Sequence, residues 1–525
     1  MLHPLELPEI RHIIGAYLGS KDLINCACVS KEWNSTFSNL IWNHLTLKAA
    51  PPTLTVAQIQ AHSNDIRYLT LETPLPDEYY FLENLHQLHS LHVEYKAYPR
   101  PGPILPHLAD LIENHSPSLR DLEIHGGSNY LSPPAFKAVG MCQRLKSLSL
   151  NHVDVSQEEF AALLDACANI GQGMDDEGAD ATSNGRANGL TTLCLKSFNA
   201  RNCESALFSM RDPLSYLKHL YIKTIFGLAP GAQLRLLLLC PNIRSLYWRR
   251  YKSGDNFLMD AWASYAESGI WPLLTSLDVS GEEFHDNGLF RFIKSRLLPL
   301  EKFLVRRTGF GPMAYNFIIS TERHYNHIQE LDIYECVNVT SHMIQKVMTT
   351  MHALRYFSAG HLRATDILDT FSLDPNGNDH GQEWICKDIR TLGLCIDMGQ
   401  EFDSSSPEYA ERQRHVYRRL SELKFLEVLD VGKGLGGCNS NGYDKSARGL
   451  DFRLSAGLGL LASLDRIRKL FFAPQPSMAL KDVEWMISTW KSLKVVSPCL
   501  SNDQNISKTL KRRLAEHSIS LQYPT

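Results

Sequence analysis

Two cysteines near the start of the chain, Cys26 and Cys28, are the first residues whose type and spacing could bind a metal or form a redox pair. A zinc site needs further ligands, commonly from Cys-x-x-Cys pairs, and none of the 12 cysteines forms such a pair. Both cysteines lie in a stretch with helical apolar spacing, which favours packing roles. So few cysteines are typical of a reducing compartment, and we expect a cytoplasmic or nuclear protein.

A glycine-rich segment, GKGLGG at 432–437, matches the G-x-G-x-x-G pattern that holds a dinucleotide pyrophosphate. It follows a strand-like stretch, and Asp451 lies near where a ribose-binding carboxylate would be expected. A dinucleotide site also needs a helix that begins at the motif, because the helix N-terminus faces the phosphates. The next residues, CNSNGYDKS, have loop composition instead. The pattern favours a flexible loop over a nucleotide site.

Three histidines, His86, His89 and His92, are three residues apart and could line up as metal ligands on a helix. Their segment enters a strand, so only His92 is expected on the exposed sheet face. The sequence also contains no phosphate-binding G-x-x-x-x-G-K-[ST], no H-E-x-x-H and no G-x-S-x-G motif. We therefore predict no catalytic residues, no metal and no cofactor.

The elements that would position any site come from a repeated pattern: apolar, two variable, apolar, one variable, apolar. Its copies begin at Ile66, Leu88, Leu119, Leu145, Leu190, Leu217, Ile243, Leu274, Leu300, Ile328, Leu354, Ile389, Leu426, Ile467 and Leu493. Several steps are 26 residues, as from 119 to 145 and from 328 to 354. A period in the twenties with this pattern is typical of leucine-rich repeats.

One unit, at 331–351, shows how each repeat folds. Leu331 and Ile333 point to one face of a short strand because they are two residues apart. Cys336 is expected to turn inward and Thr340 to cap a helix. The stripe on that helix consists of Met343, Ile344, Val347 and Met348.

A single such unit cannot bury its own apolar face, so the units must stack. We predict an α/β fold, a curved solenoid with parallel strands on its concave face and helices on its convex face. Chance occurrence of the pattern in another α/β protein is the alternative. Fifteen copies in one register argue against it.

Polar, glycine-rich stretches interrupt the repeats. We predict loop insertions near 171–189, 374–383, 399–415 and 432–449, because these stretches lack apolar periodicity. The solenoid would then occupy 48–525 and a separate domain 1–47.

The overall composition and charge argue against several classes of function. The chain has 525 residues, 44% hydrophobic content, a net charge of −4 and an isoelectric point near 6.6. Near-neutrality argues against bulk attraction to nucleic acid or anionic membranes. The start, MLHPLELPEI, has no basic segment before an apolar run, and no stretch has the length of a membrane helix.

Residues 1–47 do not follow the repeat, and their spacing predicts three helices. The first, opening near Pro8, carries an apolar stripe of Ile10, Ile13, Ile14, Tyr17 and Leu18. Three helices of this length are too small to bury all of this surface among themselves. A partner protein or the first repeats should cover the remainder.

This segment resembles an F-box, and the order of F-box and repeats resembles F-box/leucine-rich-repeat proteins of early-diverging fungi. The matching residues are Leu7, Pro8, Ile10, Ile14, Leu18, Leu23, Val29, Ser30, Trp33 and Trp42. All of these except Ser30 are predicted adaptor-binding residues.

The resemblance implies a non-catalytic subunit of a Skp-cullin-F-box type ubiquitin ligase. The F-box would bind a Skp adaptor and, through it, a cullin, while the repeats would bind a protein substrate. Two alternatives are a non-degradative scaffold built on the repeats and a cap that only closes the first repeat.

The repeat register places a basic and aromatic group on the exposed face. We predict substrate-binding roles for Tyr221, Lys223, Tyr247, Arg249, Lys302 and Arg306. Arginine binds phosphate and carboxylate well, so an acidic or phosphorylated segment would suit this group. RNA binding through YWRRYK is the less favoured alternative.

Overall fold

A computed structural model of the chain describes most of its repeats. The described residues are 6–48, 54–73, 75–95, 107–126, 133–170, 189–249, 257–368, 383–399, 406–432, 449–472, 478–497, 500 and 503–522. They divide into two units, Met1–Tyr251 and Lys252–Thr525.

The first unit carries eight strands within its described residues. They are β1 (His44–Leu47), β2 (Tyr68–Thr73), β3 (Ser90–Tyr95), β4 (Asp121–His125), β5 (Ser147–Asn151), β6 (Thr192–Asn199), β7 (His219–Phe226) and β8 (Ser245–Arg249). Its α-helices are α1 (Pro8–Gly15), α2 (Ser20–Ala27), α3 (Lys31–Asn43), α4 (Val56–Ala61), α5 (Leu108–His115), α6 (Pro133–Met141), α7 (Gln157–Asn169), α8 (Glu204–Ser209) and α9 (Pro230–Leu238). A 3-10 turn covers Asp77–Tyr79.

The second unit carries nine strands in the part that the structure describes. They are β9 (Ser276–Ser280), β10 (Lys302–Leu304), β11 (Glu330–Asp332), β12 (Tyr356–Arg363), β13 (Thr391–Asp397), β14 (Val428–Asp430), β15 (Lys469–Phe471), β16 (Val495–Val496) and β17 (Ser520–Leu521). Its α-helices are α10 (Phe257–Glu267), α11 (Asp286–Lys294), α12 (Pro312–Ser320), α13 (Glu322–Tyr325), α14 (Ser341–Met348), α15 (Ala364–Leu368), α16 (Pro407–Ser421), α17 (Leu480–Thr489) and α18 (Gln504–Glu516). Two 3-10 turns, Leu454–Ala456 and Leu458–Ser463, take the place of a helix in one repeat.

Within each unit the strands pair in parallel with their sequence neighbours, and one buried row runs through the sheet. In the first unit this row comprises Leu69, Leu91, Leu122, Leu148, Leu193, Leu220 and Leu246. In the second it comprises Leu277, Phe303, Leu331, Phe357, Leu392, Leu429, Leu470 and Val496. These are the second apolar positions of the predicted repeats. The predicted α/β repeat fold is therefore confirmed.

The repeat at 331–351 folds as its sequence predicts. Cys336 is buried and donates its Sγ–H to the Val305 carbonyl of the preceding repeat at 2.9 Å. The Thr340 hydroxyl accepts from the Met343 backbone N–H and caps α14. All four residues of the predicted helix stripe are buried. The cysteine is thus a packing residue that joins two repeats.

Polar side chains also join neighbouring repeats. The carboxylate of Asp286 accepts hydrogen bonds from three backbone N–H groups at the start of α12: Gly311 at 3.0 Å, Met313 at 2.8 Å and Ala314 at 3.0 Å. These groups have no partner inside α12, and a negative charge at a helix N-terminus is stabilising. One repeat therefore caps the helix of the next.

The prediction of a loop at 399–415 is wrong for its second half, because α16 begins at Pro407. Ser406 caps this helix by accepting from the Tyr409 N–H at 3.1 Å. The polar composition hid the periodicity: the side chains of Tyr409, Gln413, Val416, Tyr417 and Leu420 are buried on one face. Most of the other three predicted insertions falls outside the described residues.

The sheet begins earlier than the predicted domain boundary. Strand β1 starts at His44, directly after α3, and pairs with β2 from His44↔Tyr68 to Leu47↔Leu71. In the described part of the chain, no helix has the length and apolar character needed to cross a membrane.

His324 is a titratable group inside the core. Its side chain is fully buried in α13, and neither ring nitrogen has a hydrogen-bond partner among the described residues. Burial, together with the charges of Arg323 and His327, lowers the pKa of His324 from 6.5 to about 4. Between these two pH values the unfolded chain binds a proton that the folded chain does not. His324 therefore leaves the free energy of unfolding unchanged above pH 6.5 and lowers it as the pH falls from 6.5 towards 4.

We predict that His324→Phe removes a part of the acid sensitivity of the protein. Lowering the pH from 7 to 5 should reduce the free energy of unfolding of the parent by about 2 kcal/mol through this residue. The variant should not show this reduction. Urea unfolding of the second unit at both pH values measures the difference. His352→Phe, at an exposed histidine, is the matched control. Equal acid destabilisation of the parent and His324→Phe would contradict the assignment.

Candidate functional site

The three N-terminal helices form a small bundle with a thin core. Leu23, Ala27 and Phe37 are its buried residues, and Leu18, Cys26, Trp33, Leu40 and Ile41 pack against them half-buried. The Ser30 hydroxyl caps α3 by accepting from the Trp33 N–H at 3.2 Å. Cys26 therefore lies against this core, while Cys28 is exposed at the end of α2.

Helix α1 packs on the bundle through its small and polar side. Arg11 and Gly15 are its buried residues. A Cβ atom on Gly15 would lie 2.9 Å from Phe37 Cε1 and would also overlap Leu40 Cδ1, so glycine lets α1 approach α3 this closely without a shift of these side chains. The opposite, apolar side of α1 consequently faces outward.

Large apolar side chains are exposed on both α1 and α2. The exposed residues are Leu7 (39%), Ile13 (57%), Ile14 (37%) and Tyr17 (87%) on and beside α1, and Ile24 (51%) and Val29 (65%) on and beside α2. Exposed apolar patches on soluble proteins mark sites that bind another protein. We call these six residues the apolar face.

The predicted adaptor-binding residues divide between the surface and the interior. Leu7, Pro8, Ile14 and Val29 are exposed, and Ile10, Leu18, Trp33 and Trp42 are half-buried. Leu23 is buried in the bundle core, where it holds the helices together. Sequence reasoning left Ile13, Tyr17 and Ile24 out of the predicted set. Ile13 and Tyr17 carried a signal, because they belong to the stripe on α1.

The bundle is joined to the sheet by stacked rings. Trp42 stacks on His62 with ring centroids 4.1 Å apart, and His44 stacks on Tyr68 at 4.2 Å. Because β1 follows α3 without an intervening residue, backbone pairing with β2 begins where the bundle ends. The apolar face therefore has a fixed position relative to the first strands.

Four of the predicted substrate-binding residues meet on the exposed face of β7 and β8. Tyr221 and Tyr247 are register partners, and their rings stack at 3.7 Å with an interplanar angle of 7°. Lys196 Nζ lies 5.3 Å from the centre of the Tyr221 ring, and the Arg249 guanidinium lies 4.7 Å from that of Tyr247. Lys223 pairs in register with Arg249. Sequence reasoning missed Lys196, which occupies the same strand position in β6.

The other two predicted residues, Lys302 and Arg306, lie in the second unit and are already paired. Lys302 Nζ is 2.7 Å from Glu330 Oε2. Arg306 Nε is 2.6 Å from Asp332 Oδ2, and Asp332 is fully buried and also accepts from the Tyr356 hydroxyl at 2.9 Å. Arg306 thus compensates a buried carboxylate, which is a structural role.

The candidates for metal and nucleotide binding gain no geometric support. His92 forms a contact with Glu123 at 4.0 Å, while His86 is exposed on a turn before β3. Within the described ranges, no group of three or more His, Cys, Asp and Glu side chains is arranged to hold a metal ion. Residues 433–437 of the glycine-rich motif fall outside the described residues, and Asp451 is paired with Arg453 Nε at 2.7 Å.

Comparison with known proteins identifies the bundle. The protein-family model of the F-box domain matches residues 5–44, so the chain carries an F-box domain, as its sequence predicts. No curated protein matches the chain. The resemblance to proteins of early-diverging fungi stays a prediction.

The chain is similar to many solved structures, among them the following two. One is a chain of the Rad7 and Elc1 complex in yeast, with 14% identity, a TM-score of 0.41 and coverage of 76% of this chain and 89% of that one. The other is a leucine-rich-repeat protein of Leptospira interrogans, with 13% identity, a TM-score of 0.37 and coverage of 91% and 100%.

The ion pair of Arg306 with the buried Asp332 gives a prediction that tests whether Arg306 has a structural role. Arg306→Ala leaves the Asp332 carboxylate without its cation, and breaking such a pair costs about 3 kcal/mol of unfolding free energy. Adding Asp332→Asn should restore most of this loss, because the amide needs no counter-charge. Urea unfolding measures both effects.

Lys302→Ala is the matched control, because its pair with the partly exposed Glu330 should contribute less than about 1 kcal/mol. If Arg306→Ala were as mild as Lys302→Ala, the structural role of Arg306 would be wrong.

Proposed function

We propose that this chain is the substrate-receptor subunit of a ubiquitin ligase of the Skp-cullin-F-box type. Its F-box domain binds a Skp adaptor, which links it to a cullin, and its repeats hold a protein substrate. The chain itself performs no bond chemistry in this role. It contributes proximity, by holding a substrate lysine near the ubiquitin-charged enzyme.

The observation that carries the proposal is the orientation of α1. Its buried residues are Arg11 and Gly15, while Ile13, Ile14 and Tyr17 face outward. A helix that served only to close the first repeat would turn its apolar side toward that repeat. An outward apolar side is expected of a helix that binds another protein.

The second candidate function is a non-degradative scaffold that uses the repeats alone. The pre-ordered aromatic and basic group on β6–β8 would serve either role, since it needs no ligase. Adaptor binding separates the two candidates, because the scaffold makes no use of the apolar face.

We predict that Ile14→Asp, Ile24→Asp and Val29→Asp together weaken adaptor binding strongly. Burial of a large aliphatic side chain contributes roughly 1.5–3 kcal/mol, and the three are already partly covered in the free chain. A loss of about 3 kcal/mol in total weakens binding by about a hundredfold. Leu18 is left unchanged, because it packs on the bundle core. Titration with a purified Skp adaptor measures the affinity.

The matched control is Leu297→Asp with Val337→Asp, which changes two exposed apolar residues outside the F-box domain. It should bind the adaptor like the parent, and circular dichroism should show all three proteins folded. A folded triple variant with undiminished adaptor affinity would refute the use of the apolar face. A parent chain that binds no Skp adaptor would favour the scaffold.

A further inference from the structure

The exposed side of the first unit's sheet carries its side chains in aligned rows, and two of them hold Glu, Lys and Arg side chains of opposite sign. The middle row is Thr70, His92, Glu123, Ser149, Cys194, Tyr221 and Tyr247, in the order of β2 to β8. The outer row, two residues further along each strand, is Glu72, Glu94, His125, Asn151, Lys196, Lys223 and Arg249. Strand pairing fixes these neighbours.

Charge is divided along these rows. The acidic part lies on β2–β4 and consists of Glu72, Glu94 and Glu123, with no Lys or Arg in either row there. The basic part lies on β6–β8 and consists of Lys196, Lys223 and Arg249, with no Asp or Glu in either row. On β5 between them, Ser149 and Asn151 are uncharged. Lys48 follows β1, outside the strands that carry the acidic part.

Ring contacts order two side chains of the basic part. Lys196 and Arg249 lie against the stacked pair of Tyr221 and Tyr247. Among the described residues, neither Lys196 nor Lys223 forms an ion pair, in contrast to Lys302 and Arg306 in the second unit. A cation held in place by an aromatic contact, as Lys196 is, loses little entropy when it binds an anion.

In the acidic part, Glu123 is held in place by two neighbours. Asn151 Nδ2 donates to Glu123 Oε1 at 2.9 Å across β4 and β5, and His92 lies 4.0 Å from the other oxygen of the same carboxylate. A polyanion such as RNA, laid along the rows, would meet this acidic part and be repelled. The surface therefore suits a ligand that itself carries both signs of charge.

We propose that the two rows bind an extended protein segment with two oppositely charged blocks, an acidic or phosphorylated block over β6–β8 and a basic block over β2–β4. The inference rests on the proposed receptor role, which it deepens by naming the substrate class. Neighbouring strands are about 4.8 Å apart, so Glu94 on β3 and Lys223 on β7 are separated by about 19 Å. An extended chain covers this distance in about six residues. The charge blocks should have that spacing.

The test uses the full chain and labelled synthetic peptides of glycine, serine and alanine with two charge blocks. One block has two arginines and the other two glutamates or two phosphoserines, with about two, six or ten residues between them. Fluorescence anisotropy should show the tightest binding at about six residues. The glutamate and phosphoserine series show which anion the basic part prefers. Equal affinity at all spacings, equal affinity of a purely acidic peptide, or no binding of any peptide would overturn the proposal.

Charge-reversal variants test which charged block of the peptide binds the basic part and which binds the acidic part. Lys223→Glu with Arg249→Glu should weaken the best peptide at least about tenfold, and Glu72→Lys with Glu94→Lys should do the same. The basic-part variant should also weaken a peptide that lacks arginines, whereas the acidic-part variant should not. If both variants weakened that shorter peptide equally, the attraction would be diffuse and the two-block assignment wrong.

The matched controls reverse equal charges elsewhere. Lys218→Glu with Arg244→Glu lies in the same two repeats, just before β7 and β8, and Glu113→Lys with Glu158→Lys lies on exposed helix positions. Both controls should change the affinity less than about threefold. A Skp adaptor titration separates the outcomes. Every variant should bind the adaptor like the parent, and a parent chain that binds the adaptor but none of the peptides rejects this inference alone.

Discussion

From β2 to β8, each strand places two inward apolar side chains in buried rows beside those of the neighbouring strands. Leu220, for example, lies between Leu193 and Leu246 in the paired register. A repeat taken alone would leave this apolar pair in water, so the repeats are stable only as a stack. The same register decides what the other side of the sheet presents. The outward side chains alternate with the buried ones along each strand, so strand pairing aligns them in rows as well. A binding surface on the outward side of the sheet therefore has the same strand-to-strand spacing as the core.

The sequence predicts the parts of the fold that depend on this periodicity. The buried rows, the inward Cys336 and the Thr340 cap can all be predicted from the sequence, because each follows from apolar spacing or from local backbone hydrogen bonding. Helix α16 was missed, since charged residues surround its buried positions and dominate its composition. Apolar spacing alone also cannot tell which side of α1 faces the bundle. That side is set by Gly15, whose missing side chain lets α1 approach Phe37 and Leu40.

The candidate binding surface was predictable only in part. The position of Tyr221, Lys223, Tyr247 and Arg249 on one face follows from the strand period, and the stacked rings confirm it. The role of Arg306 does not, because its partner Asp332 lies one repeat away and its burial depends on packing. A basic residue on a predicted strand face can therefore be a ligand contact or the counter-charge of a buried acid. Only the three-dimensional arrangement distinguishes the two.

The junction between α3 and β1 has a mechanical consequence. No linker separates the bundle from the sheet, and the Trp42–His62 and His44–Tyr68 stacks hold the junction together. Under the proposed role, a bound segment is thus held at a fixed distance from the adaptor, because no flexible linker lies between the two binding surfaces. Lysines of the substrate would then be selected by their reach from the bound segment, and the sequence around each lysine would matter little.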